Sequence, residues 1–356
     1  TGTVTLAGNN TIDGTLTANL LILNGNNNTF NGEVSTVNGL NISGTGNSFE
    51  NNIDTDIEIS SSAAATMSNG SNLTGNVSFS GDSSSFNLST GSDIQGNVST
   101  TNNTGTLNVQ GSSTITGTVG TDSLKLKEIN AGENTSNSTF KDDVYATTIT
   151  NTGTGEVSFE KNVTATDVEI NNGTVSLLDN ANITATNIST TTNNTGTLNL
   201  QGSSTITGIV GTVGTSSTLK LKEVKAGADS SSSTFNNMVY AENLNFLGNG
   251  TVTLNGTNSN STLAGMIGSV NLGDNDGTLE IGDEVNLTTG TDGIEFLNAN
   301  NASLVFNGSS IVNGVVGGNT AGKSTFETIY AGKNSEIVTF KDDVYATTIT
   351  NTGTGE

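Results

Sequence analysis

The sequence predicts an all-β chain, a parallel β-helix (β-solenoid) with coils of about 19–23 residues. Three observations predict it: apolar residues come as short alternating pairs, the chain repeats its own text at several periods, and it contains no proline. The pairs include Val4-x-Leu6, Phe86-x-Leu88, Leu107-x-Val109, Val157-x-Phe159, Leu198-x-Leu200 and Val252-x-Leu254. Alternation with a period of two puts both members on one face of a strand. Clusters of Gly, Asn and Asp between the pairs supply turns. Gly, Asn, Thr and Ser are poor helix formers, and no stretch keeps an apolar 3.6-residue period over four turns.

The repeats set the architecture. Thr339–Glu356 reproduces Thr139–Glu156 residue for residue, 200 positions on. TNNTGTLN at Thr101–Asn108 returns at Thr192–Asn199, and GSSTITG at Gly111–Gly117 returns at Gly202–Gly208. LKLKE at Leu124–Glu128 returns at Leu219–Glu223, so the second copy carries about four extra residues ahead of it. A finer period lies beneath. Phe86, Leu88, Ile94 and Val98 map onto Leu107, Val109, Ile115 and Val119 at an offset of 21. Leu21, Leu23, Phe30 and Val34 map onto Leu40, Ile42, Phe49 and Ile53 at 19, as Val144 does onto Val163. Val4-x-Leu6 with Ile12-x-Gly14-x-Leu16 repeats the internal spacing of the Phe86 unit.

A period of this length is one coil of two or three short strands, with inward Val, Ile, Leu and Phe stacked in columns and Asn, Thr and Ser free to form ladders. The expectation is a single continuous solenoid over residues 1–356. At ~4.8 Å per coil, about 17 coils give a rod on the order of 80 Å long. The absence of Pro fits, because a strand with neighbours above and below has no ladder donor to spare. A leucine-rich repeat would need closer, stricter leucine spacing. A transmembrane barrel would need strands of ~10 residues and aromatic girdles.

Composition narrows the function. The 33 acidic residues against 10 basic ones give a formal charge of −23, and Cys, His and Trp are absent. All the basic residues are Lys. Without Cys or His there is no zinc site, disulfide framework, thiol nucleophile, Ser-His-Asp triad or haem ligation. Without Arg, and with this charge, a nucleic-acid groove is not expected. No segment reads as a transmembrane helix or a signal peptide. Disorder is disfavoured, since Val, Ile, Leu and Phe stay above the ~20% level below which it becomes the default.

Three groups of residues could carry chemistry. Tyr145, Tyr240, Tyr330 and Tyr345 each follow a Phe and precede an Ala. They read either as an outward row of aromatics for a glycan or protein partner, or as covers for the end of a repeat. Asp142-Asp143 and Asp342-Asp343 resemble the paired carboxylates of a glycan hydrolase. The pair recurs in identical context, though, and the Phe235 copy has Asn237 and Met238 there, so solvated loop charge is the expected role. Asp274-Asn275-Asp276-Gly277 with Asp283-Glu284 is the densest acidic stretch, where weak Ca²⁺ binding competes with solubilising charge; its spacing fits neither an EF-hand nor a nonapeptide calcium repeat. Asn-x-Ser/Thr triplets such as those at Asn72, Asn76 and Asn87 follow from composition. No catalytic, cofactor-binding or metal residue is assigned.

GTLNVQGSSTITGTVG (Gly105–Gly120), LKLKEINAG (Leu124–Gly132) and TFKDDVYATTITNTGTGEV (Thr139–Val157) resemble the passenger region of rickettsial surface cell antigens, the outer membrane protein A/B-type autotransporters. The resemblance implies a β-helical passenger exported through a barrel outside this sequence and displayed on the bacterial surface. It implies roles in host-cell adhesion or surface-layer formation and no catalytic residues. The functional expectation is therefore a non-enzymatic, extracellular fragment of a longer chain, acting as a stiff rod. Its partner would be a host-cell surface protein or glycan, or copies of itself end to end. A glycan-cleaving β-helix is the remote alternative. No cofactor, nucleic acid or direct membrane insertion is expected.

Overall fold

The computed structural model describes residues 2–68, 70–101, 103–178, 180–213, 218–256, 266–297, 301–318 and 324–355. Among them there is no helix, and all but one of the strand pairings described are parallel. The chain is a β-solenoid. It divides into two compact units, Thr1–Thr174 and Val175–Glu356.

In the first unit each coil contributes short strands to three stacks. One stack begins with Thr3–Leu6, Leu20–Leu23 and Leu40–Ile42 and runs through Val98–Thr100. Single bridges continue it through Val119 to Val144. A second begins with Thr11–Ile12, Thr29–Phe30 and Asn47–Phe49 and includes Ser85–Leu88 and Thr106–Val109. The third begins with Leu16–Ala18 and Val34–Thr36 and includes Asn137–Phe140 under Glu156–Phe159. Register follows the sequence offsets: Leu21 pairs with Leu40, Phe30 with Phe49, Leu107 with Phe86 and Val144 with Val163.

Two expectations are corrected. The coil length varies more than 19–23 residues, from 17 between Thr3 and Leu20 to 29 between Ile206 and Phe235 in the second unit. The variation lies in the corner loops. Also, Val4-x-Leu6 does not occupy the place of Phe86-x-Leu88. Val4 stacks with Leu21 in the first stack, whereas Phe86 stacks with Leu107 in the second. All three faces demand inward apolar residues at the same spacing, so one motif fits any of them.

The interior is a set of like-on-like columns. Phe30 and Phe49 stack with ring centroids 4.9 Å apart, and Phe140 and Phe159 at 5.2 Å. Polar residues enter this interior partly as ladders and partly through local bonds, such as Ser84 Oγ to Gly81 O and Asn151 Nδ2 to Gly155 O. Asn28 and Asn47 are fully buried; Asn10 Nδ2 donates to Asn28 Oδ1 and Asn28 Nδ2 to Asn47 Oδ1, both at 2.8 Å. Asn28 is thus satisfied from the coils on both sides, which an isolated buried Asn could not be, while Asn47 Nδ2 has no hydrogen-bond partner.

Ile149 lies beneath Val168 and is 0% exposed, whereas Val37 on a corner is 75% exposed. Truncating Ile149 to Ala should cost about 2–5 kcal/mol, and truncating Val37 within about 0.5 kcal/mol. Denaturant midpoints of the two variants would check this, and equal losses would contradict the stacking argument.

Candidate functional site

Three copies of one corner place most of the residues singled out above. In the first, Val119 is bridged to Val98 and Val144, and Gly120 turns the chain outward with a φ of +67°. Gly120 N–H donates to Val98 O and Tyr145 N–H donates to Val119 O, both at 2.7 Å. A Cβ at Gly120 would lie 2.3 Å from the Tyr145 carbonyl oxygen, so no larger residue fits. The chain then leaves the coil, makes a turn closed by reciprocal backbone bonds between Thr121 and Leu124, and returns at Leu126 opposite Ala146.

The second copy repeats this with Val210, Gly211 (φ +77°), Tyr240 and Leu221. The third repeats it with Val316, Gly317 (φ +70°), Tyr345 and Phe326. What differs is the excursion. The extra residues of the second copy form an antiparallel pair, Thr212–Val213 against Thr218–Leu219, the one departure from parallel pairing among the described residues.

The tyrosines therefore do not form a row of four. Tyr145 and Tyr345 are half-buried outward residues. Tyr240 is 2% exposed, contrary to the outward reading, and its hydroxyl donates to Met238 Sδ at 3.1 Å. Met238 holds the place of Asp143 and Asp343; beside Tyr345 that place is a carboxylate, which accepts from the tyrosine hydroxyl at 3.4 Å. An apolar neighbour thus accompanies the buried ring and a charged one a half-buried ring. Tyr330 belongs elsewhere: it pairs with Val305 and Thr350, at the place Asn130 takes opposite Thr150 in the first copy.

Asp142 and Asp143 are parts of a ladder. The residue preceding each corner aliphatic offers a side-chain oxygen to the backbone of the next coil. Asp56 accepts from Asn76 N–H at 2.8 Å, Asn76 from Asn97 at 2.8 Å, and Asn97 from Thr118 at 2.9 Å. Thr118 Oγ1 donates to Asp142 at 3.1 Å, and Asp143 accepts from Asn162 N–H at 3.0 Å. Asn72 serves a parallel ladder between Asn52 and Asp93, and Asn87 one between Thr66 and Asn108.

The acidic stretch of the second unit is divided the same way. Asp276 belongs to the series Asp229–Asn249–Asp276–Asn301, while Asp283 accepts from Glu284 N–H and Ser309 N–H. No group of three or more Asp or Glu among the described residues is arranged to hold a metal ion.

A feature the sequence reading missed is a polar cleft of about 470 Å³ in the first unit, lined by Ser35, Thr36, Asp54, Asp56 and Thr74. Val37, which also lines it, stands 75% exposed on a corner one residue longer than the matching corner of the coil before and two longer than that of the coil after. No sequence pattern marks such a cleft, because it arises from a mismatch between successive loops.

The chain matches no protein-family model, no curated protein and no solved structure.

Two predictions follow from this geometry. Burial pushes the Tyr240 phenol up, and burial followed by Asp143, Asp122 and Asp142 does so for Tyr145. Both protonated rings favour the fold, so their contribution is present below the ordinary tyrosine range near ~10 and lost as pH rises through the elevated folded values. An ultraviolet titration should show the delayed ionisation, and Tyr240→Phe should remove part of it. Separately, Asp143→Asn keeps the ladder acceptor and should leave the melting temperature unchanged, whereas Asp143→Ala should cost about 1 kcal/mol.

Proposed function

We propose that this chain is a non-enzymatic scaffold displayed on a bacterial surface, like the passenger of an autotransporter adhesin, with a host-cell surface protein or glycan as its partner. The observation that carries the reading is how its polar side chains are used. The carboxylates and amides best placed for chemistry are joined coil to coil in ladders, and the backbone leaves the coils at a recurring corner. The first use gives stiffness. The second gives display at residues 121–125, and in the other two copies the sequence between the same Gly and the re-entry residue differs in length and composition.

The charge of −23 supports the reading too, because it opposes clumping of neighbouring copies and adhesion to anionic lipid within the ~8–10 Å beyond which salt screens it. Contact of this kind spreads over many weak sites, and affinity comes from their sum.

Labelled chain applied to cultured animal cells tests the proposal. Saturable attachment is expected, reduced about 3- to 10-fold when the Thr121–Lys125 turn is replaced by a minimal Asn-Gly turn. Absence of attachment, or glycan cleavage abolished by Asp142→Asn with Asp143→Asn, would overturn it.

A further inference from the structure

Across six successive strands of the second unit the outward residues form two columns. The first is Ser232, Thr251, Thr278, Ser303, Thr328 and Thr348, paired strand to strand in that order. The second runs beside it and contains Glu280, Val305 and Tyr330. The residues between the columns, including Val252, Leu279, Leu304 and Ile329, are 0% exposed and face the core, so both columns stand on the solvent side.

This strip differs from the Asn column of the first unit in how its polar groups are used. In the first unit Asn130, Asn108, Asn87 and Thr66 bond to one another. In the strip, Ser303 Oγ makes one long contact, 3.5 Å to Asn301 O, and the hydroxyls of Ser232, Thr251, Thr278, Thr328 and Thr348 engage no other protein group among the described residues. Each hydroxyl can donate once and accept twice. The result is an array of unspent hydrogen-bonding groups repeated at the strand spacing of ~4.8 Å.

Tyr330 stands beside this array, 38% exposed, with Val305 next to it on the neighbouring strand. The strip's one charge is Glu280, which is held by Thr253 Oγ1 at 3.1 Å and Asn307 Nδ2 at 3.4 Å.

We propose that this strip binds a linear, neutral, β-linked polysaccharide lying along the solenoid axis. The chemistry matches part by part. An equatorially substituted sugar presents a C–H face that packs on an aromatic ring, and Tyr330 with Val305 offers that platform. Its rim of hydroxyls needs donors and acceptors at regular intervals, and the Ser/Thr column supplies them. A β-linked chain advances per sugar by nearly the distance between strands, so several sugars stay in step with several coils. The absence of a cation in the strip, and the charge of −23, select against uronic or sulfated glycans. A protein partner adding a strand is less suited, because the backbone groups of these strands are already paired with their neighbours.

The inference rests on the surface-scaffold reading and names the glycan that scaffold would hold. Native affinity electrophoresis of the full chain in gels containing a soluble β-glucan tests it, with hyaluronan gels as the polyanionic control. Retardation in the glucan gel alone is expected. Tyr330→Ala should weaken it about 10-fold, and Tyr330→Phe should leave it within about twofold, since stacking needs the ring and not the hydroxyl. Thr278→Val with Thr328→Val should weaken it about 3- to 10-fold while preserving shape and strand propensity. Unchanged melting of each variant separates lost binding from lost fold. No retardation by the glucan, equal retardation of Tyr330→Ala, or equal retardation by hyaluronan would overturn the proposal. If Tyr330→Ala is retarded like the parent chain and still attaches to cells, the glycan strip falls while the scaffold reading stands.

Discussion

Vertical register between coils is the constraint on which the rest depends. Once Leu21 stands over Leu40 and Phe30 over Phe49, each residue inherits its neighbourhood from the one above and the one below. Apolar columns then exclude water with few apolar residues, which explains how a chain only 31% hydrophobic encloses a continuous interior in each unit. Polar residues obey the same condition. The buried amide of Asn28 is tolerable because a matching group sits one coil away on either side.

The fold was legible because this constraint writes itself into the sequence as period. Offsets of 19 and 21 read from the text are the strand pairings of the first unit. The face was not legible. Three walls with the same demand leave no chemical mark distinguishing them, so Val4-x-Leu6 and Phe86-x-Leu88 look alike while lying in different stacks. Tyr330 was misplaced for a related reason: a Phe before and an Ala after it resemble the corner context, yet the 200-residue duplication aligns it with Asn130. The long repeat was the better guide than the local motif.

The candidate sites divide similarly. Solvated, unspecialised roles for Asp142 and Asp143 could be read from their recurrence, but their place in a ladder depends on Thr118 and Asn162, which lie 24 and 19 residues away. The burial of Tyr240 required knowing what lies beside it. Met238 in place of an aspartate was visible in the text, and the structure gives that exchange its meaning, since a thioether accepts the hydroxyl without bringing a charge beneath the ring. The hydroxyl strip was invisible for the opposite reason: Thr and Ser are so common here that only their alignment on one wall sets six of them apart.

The left-handed glycines at 120, 211 and 317 have a consequence for how such a chain can change. Each sits at the exit of its coil, and a fixed pairing residue marks the way back in, at Leu126, Leu221 and Phe326. Between exit and re-entry the three copies carry five, nine and eight residues. Insertions and deletions at that vertex leave the winding intact, so new outward segments can be tried there by duplication and drift without refolding the body that carries them.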